Sequence, residues 1–231
     1  MYFRCELTDT EGASQRGENM KLFHDNQEIN TEATDVLGEL GNVGVGKAAG
    51  ILGNFLGKRV ILRAPRVLSV QDNLNAVANI DPERVMVGIL MRLTKTLGGM
   101  VLILVDLGCI LDIEEKTTGK RYTEKEITED ELALSVIQEL ANLMAASYMN
   151  AIGEYTGLRI YLTPTMVGVD MAAALLSYPL AEMSMTGDNV ICIDSCFYAS
   201  RDENNTNDHE GRMLILPDEE SAQKLIRAMG L

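Results

Sequence analysis

Two periods of apolar residues alternate along this chain, and each change of period marks an element. Residues 1–30 show neither period, are rich in acids and amides, and read as a flexible extension, with Met20 as an alternative start. Val36, Leu37, Leu40, Val43, Ile51, Leu52 and Phe55 then recur at spacings of three and four, which predicts an amphipathic helix ending near Gly57. Val136, Ile137, Leu140, Leu143 and Met144 predict a second helix of the same kind, ending near Gly157. Three strand-like runs follow each helix: Arg59–Leu62, Val85–Leu93 and Met100–Val105 in the first half, and Arg159–Leu162, Val190–Phe197 and Met213–Leu216 in the second. The charged stretch Asp112–Glu131 reads as a linker or a short exposed helix, with Thr128 and Glu131 at capping-box spacing ahead of the second long helix. Arg201–Arg212 reads as a long hairpin loop, and Glu219–Met229 as a closing helix.

The two halves also share identities. At an offset of 100 residues, Val36, Glu39, Leu40, Asn42, Gly53, Gly57, Arg59 and Leu62 recur without a gap as Val136, Glu139, Leu140, Asn142, Gly153, Gly157, Arg159 and Leu162. Such self-similarity predicts a duplication. The expected organisation is an extension at 1–30 followed by one domain at 31–231, built from repeats at about 31–111 and 128–231 with a linker at about 112–127. The expected fold class is α+β, with the halves related by a pseudo-two-fold rotation and the two long helices packed on one face of a shared antiparallel sheet.

Charge narrows the function classes. Lys and Arg number 20 against 34 Asp and Glu, a net charge of −14, so the field of the chain repels polyanions. Neither nucleic acid nor an anionic membrane is an expected partner. The longest uncharged run, Leu140–Gly153, is too short to span a bilayer, and the first residues lack an apolar signal core, so a cytoplasmic protein is expected. Cys192 and Cys196 have C-x3-C spacing but no neighbouring histidine, and they read as buried thiols rather than zinc ligands.

The candidate chemistry lies on the long helices. Asp35, Glu39 and Asn42 stand at i, i+4 and i+7, on one stripe beside the apolar face, and Ser135, Glu139 and Asn142 form the same stripe on the second helix. A solvated face would explain one such stripe. Two identical Glu-Asn pairs on matched helices point instead to a shared role. Gly41-x4-Gly46-Lys47-Ala48 approaches a phosphate-binding loop, but Ala48 stands where a hydroxyl is needed and the preceding segment is helical rather than a strand.

These residues resemble the signature of the CheC-type chemotaxis phosphatases, a family that includes CheX and FliY: Asp or Ser, three residues, Glu, two residues, Asn, 22 residues, Pro. Asp35, Glu39, Asn42 and Pro65 fit it in full; Ser135, Glu139 and Asn142 fit a second copy, in which Pro164 comes one residue early. The resemblance covers about residues 31–231, and its two sites point to the CheC branch rather than to CheX. A FliY-like switch component is disfavoured, since such proteins carry an additional C-terminal domain.

The resemblance implies hydrolysis of the aspartyl phosphate on the response regulator CheY, whose magnesium ion comes with the regulator; no cofactor or metal of the chain's own is expected. An acyl phosphate needs chiefly an oriented water, and an amide can both donate to it and accept from it. Asn42 and Asn142 are therefore the water-orienting candidates, and Glu39 and Glu139 the docking carboxylates. The alternative is a non-catalytic module that sequesters phosphorylated CheY and regulates the deamidase CheD, a further partner that the resemblance implies.

Overall fold

The computed structural model describes Leu22 and residues 30–70, 80–185, 190–199 and 209–230. Helix α1 (Thr31–Leu56) starts at Asn30, whose side chain accepts from the Glu32 N–H, and ends at Gly57, whose φ of 59° suits a residue without a Cβ. Helix α4 (Glu131–Thr156) is built the same way, between the Asp130 cap and Gly157 at φ 71°. Both predicted helices are thus present, and α1 runs unbroken through Gly41–Lys47, where a phosphate-binding loop would have needed a strand and a turn.

The strands are β1 (Val60–Leu62), β2 (Arg66–Val70), β3 (Val85–Lys95), β4 (Gly99–Asp106), β5 (Ile160–Leu162), β6 (Met166–Met171), β7 (Val190–Ala199) and β8 (His209–Pro217). They form one antiparallel sheet in the order β1, β7, β8, β4, β3, β5, with β2 also on β7 and β6 also on β3. Hairpins β3–β4 and β7–β8 meet at its centre, where Leu102 faces Leu214. The halves exchange their flanking strands. Leu62 and Arg66 of the first half face Phe197 and Asp194 of the second, while Leu162 and Met166 of the second face Leu93 and Leu90 of the first. This reciprocal register is the pseudo-two-fold arrangement expected from the sequence, and α1 and α4 lie side by side on one face of the sheet.

The hairpin strands are buried on both faces, which is why they read as continuous apolar runs. Val87, Ile89, Val101, Ile103, Ile193 and Ile215 pack under Leu37, Leu40 and Leu52 of α1 and Leu140, Met144 and Tyr148 of α4. On the other face, Leu90, Leu102, Leu104 and Leu214 pack against α5 (Ala172–Ser184), a helix that the sequence reading missed.

The charged middle of the chain also differs from expectation. In place of a linker at 112–127 stand α2 (Leu107–Thr118), with Ile113 and Glu114 buried, and α3 (Glu124–Glu129), a short, mostly exposed helix with Ile127 buried, which matches the alternative reading of this stretch. The capping box is formed by Thr123 and Glu126 at the start of α3, not by Thr128 and Glu131, and Asp130 caps α4. Helix α2 has a counterpart in α6 (Glu219–Ala228), the predicted closing helix: Asp106 accepts from the Cys109 N–H and Asp218 from the Ser221 N–H. Leu22, inside the segment read as an extension, is buried, and its carbonyl accepts from the Asn30 N–H. The rest of 1–29 and residues 201–208 of the stretch read as a hairpin loop lie outside the described residues, whereas His209–Arg212 of that stretch belong to β8.

Candidate functional site

Helical spacing puts Asp35, Glu39 and Asn42 on the outer side of α1, and all three are exposed. Ser135, Glu139 and Asn142 are exposed at the matching places on α4. Among the described residues, Glu39, Asn42, Glu139 and Asn142 have no ion-pair or hydrogen-bond partner. Their carboxylates and amides are directed to solvent on helices whose opposite sides are locked into the core.

That locking differs between the two stripes. Gly41, the residue before Asn42, is buried, and a Cβ there would lie 2.8 Å from Ile193 Cγ2 and 2.9 Å from Pro65 Cβ. Pro65 is half-buried, so the signature proline touches the helix directly beneath the candidate amide. In the second half Ala141 takes the place of Gly41, and Pro164 is exposed. There the Arg92 N–H donates to the Thr163 hydroxyl at 2.9 Å. The early proline of the second copy thus has a structural counterpart. The supporting residues of the first site include Ile193, which no spacing in the sequence could have assigned to it; the signal within reach was the cost of a buried glycine in mid-helix, about 1 kcal/mol.

Next to Pro65, on the opposite face of the sheet, begins a chain of charges. Arg66 Nη2 donates to Asp194 Oδ2 at 2.5 Å, and Arg212 Nη1 donates to the same oxygen at 2.8 Å. Arg212 also holds Glu210, Glu210 accepts from Arg84, and Arg84 holds Asp106 at 2.6 Å. His209 lies between Asp106 Oδ1 at 3.3 Å and Asp112 Oδ2 at 3.0 Å. Burial works to raise the Asp106 value, but hydrogen bonds from His209 and Arg84 hold it well below the usual carboxylate range. The same bond from Asp106, helped by Asp112 against the effect of burial, raises the His209 value.

Burial raises the thiol of Cys192, and it raises that of Cys109 to about 12, so neither is an activated nucleophile. Among the described residues no helix is long and apolar enough to cross a membrane.

Comparison with known proteins places this geometry. The model of the CheC-like family matches residues 132–164, the stretch that holds Ser135, Glu139, Asn142 and Pro164. The CheY-P phosphatase CheC of Bacillus subtilis (strain 168) is 28% identical over 205 residues, spanning 87% of this chain and 96% of that protein. Among solved structures, Thermotoga maritima FliY matches with a TM-score of 0.61 at 20% identity, over 87% of this chain and 98% of the other. The FliM middle domain of Helicobacter pylori matches with a TM-score of 0.55 at 7% identity, over 87% and 100%, a likeness of fold alone. The repeated motif, the family model over residues 132–164 and the 28% identical relative all make the chain similar to the CheC-like chemotaxis proteins, and its fold is that of the FliY structure.

Proposed function

We propose that this chain hydrolyses the aspartyl phosphate of the chemotaxis response regulator CheY. The observation that carries the reading is the pair of matched stripes: Glu39 with Asn42, and Glu139 with Asn142, all exposed and all without ion-pair or hydrogen-bond partners among the described residues. An acyl phosphate is already an activated mixed anhydride, so the protein need supply only a water held in line with the phosphorus-oxygen bond. An Asn amide does this by donating to one side of the water and accepting from the other. The carboxylate one helical turn away binds a cationic side chain of the regulator and so fixes the amide against the phosphoryl group. The magnesium ion that the regulator carries belongs to the substrate in this scheme.

The test is to mix the purified protein with phosphorylated CheY and to follow release of inorganic phosphate. Release well above the regulator's spontaneous rate supports the reading. Binding without acceleration replaces it with sequestration.

A further inference from the structure

We propose that Pro65 and Arg66 are positioning residues for Asn42, and that the first of the two stripes is braced through the sheet while the second is not. The inference rests on the phosphatase reading above and concerns how one of its sites is held.

The first link is a contact without slack. With no Cβ at Gly41, the helix turn that carries Asn42 rests on Pro65 and on Ile193 Cγ2, at distances that a methyl group could not tolerate. A shift of Pro65 is therefore a shift of the backbone next to the amide. A displacement of about 1 Å in a group that orients a reactant can cost about a hundredfold in rate.

The second link fixes Pro65 itself. Arg66 pairs in register with Asp194 on β7, and its guanidinium reaches the Asp194 carboxylate on the far side of the sheet. Asp194 is buried, and the oxygen that Arg66 binds also accepts from the buried Arg212, so the anchor cannot drift toward solvent. Charge-assisted bonds of this kind are shorter and stiffer than neutral ones.

The positions matching Arg66 and Asp194 are Met166 and Leu90, which face each other with no charge between them. Ala141 replaces Gly41, and Pro164 is exposed. A device serving the sheet as a whole would have been kept at both ends of a symmetric register; this one sits under a single stripe.

The experiment uses the full chain in two parent forms, Asn142→Ala with only the first stripe intact and Asn42→Ala with only the second. Into each go Arg66→Met, which installs the residue found at Met166, and Gly41→Ala. Arg66 is half-exposed and Asp194 keeps Arg212, so Arg66→Met tests the proposal even if Gly41→Ala does not fold. Phosphate release from phosphorylated CheY gives kcat and KM. In the Asn142→Ala parent, kcat should fall about fivefold to tenfold for Arg66→Met, and further for Gly41→Ala, with KM within about twofold. In the Asn42→Ala parent both values should stay within about twofold; in the Asn142→Ala parent Arg66→Lys should keep most of the activity that Arg66→Met loses. Equal losses in both parents, or none in either, would overturn the proposal, as would a first stripe that is inactive while the second works. Absence of release from both parents and from the unmodified chain would instead remove the phosphatase reading on which it stands.

Discussion

The ring of Tyr148 on α4 lies against Gly44 on α1, so closely that a Cβ at Gly44 would come within 2.5 Å of ring carbons Cδ1 and Cε1. The two long helices thus meet as knob and hole, and the Tyr148 hydroxyl reaches Ser195 on β7 beneath them at 3.4 Å. Gly44→Ala forces the helices apart, and overpacking of this kind costs about 1–3 kcal/mol, more than the gain of about 1 kcal/mol from better helix propensity. Gly50 is exposed on the same helix, and a Cβ there meets nothing within 4 Å, so Gly50→Ala keeps the gain alone. Calorimetry should show a lower melting temperature for the first variant and a higher one for the second.

The paired stripes predict partial redundancy. Asn42→Ala and Asn142→Ala should each leave measurable phosphate release, and the double variant should bring it to the regulator's spontaneous rate while the far-ultraviolet spectrum stays unchanged, since exposed substitutions shift stability by about 0.5 kcal/mol or less. Glu39→Lys with Glu139→Lys should instead weaken regulator binding, because like charges then face each other at the docking contact. Titration against a regulator carrying a stable phosphoryl analogue separates the two effects. Full activity in the double Asn variant would move the chemistry elsewhere.

Much of this was legible in the sequence, for identifiable reasons. The long helices show because their buried residues keep the helical period and glycines stop them. The hairpin strands show as apolar runs. Strands β2 and β6 do not, because they flank the sheet and carry mixed residues such as Arg66, Ser69 and Asp170. Helix α5 is hidden by an apolar run without periodicity that contains Pro179. Helix α2 is hidden by its charges, one of which, Glu114, is buried. The stripes stand out only because they occur twice, and the floor of the first was invisible because Ile193 reaches Gly41 from the other half of the chain.

Glu114 predicts a pH effect on stability. Both of its carboxyl oxygens are buried without a hydrogen-bond partner among the described residues, and burial, with Asp130 nearby, raises its value to about 7. Between its ordinary value of 4.5 and about 7, the unfolded chain loses this proton while the folded one keeps it, so stability falls across that window as pH rises. Glu114→Met removes the buried group and should stabilise the protein by about 1–3 kcal/mol at pH 8, with a smaller gain at pH 4. Denaturant midpoints at the two pH values check it; an equal change at both would contradict the assignment.

His209 titrates in the same direction for another reason. Held between Asp106 and Asp112, its folded value lies above the ordinary 6.5, so its charge stabilises the fold fully below 6.5, and that contribution is lost as pH rises through the raised value. Asp106 has the opposite sign: its folded value is depressed, so its contribution is present above 3.8 and disappears as pH falls below it. His209→Gln should therefore flatten the upper limb of the stability curve and leave the Glu114 window in place. Thermal melts across pH 4–9 resolve the two limbs.

Because β1 and β2 complete the second half's hairpin and β5 and β6 complete the first's, neither half owns a finished sheet. A chain divided in the loop between α2 and α3 would yield fragments whose missing strands lie in the other piece. Each should melt without cooperativity alone and regain a single transition on mixing. A half-length ancestor with this topology could have closed its sheet only around a second copy of itself, and the present chain would then be a homodimer written on one polypeptide. Such a fusion frees the two subunits to diverge, one keeping an ionic brace under its helix and the other an apolar pair.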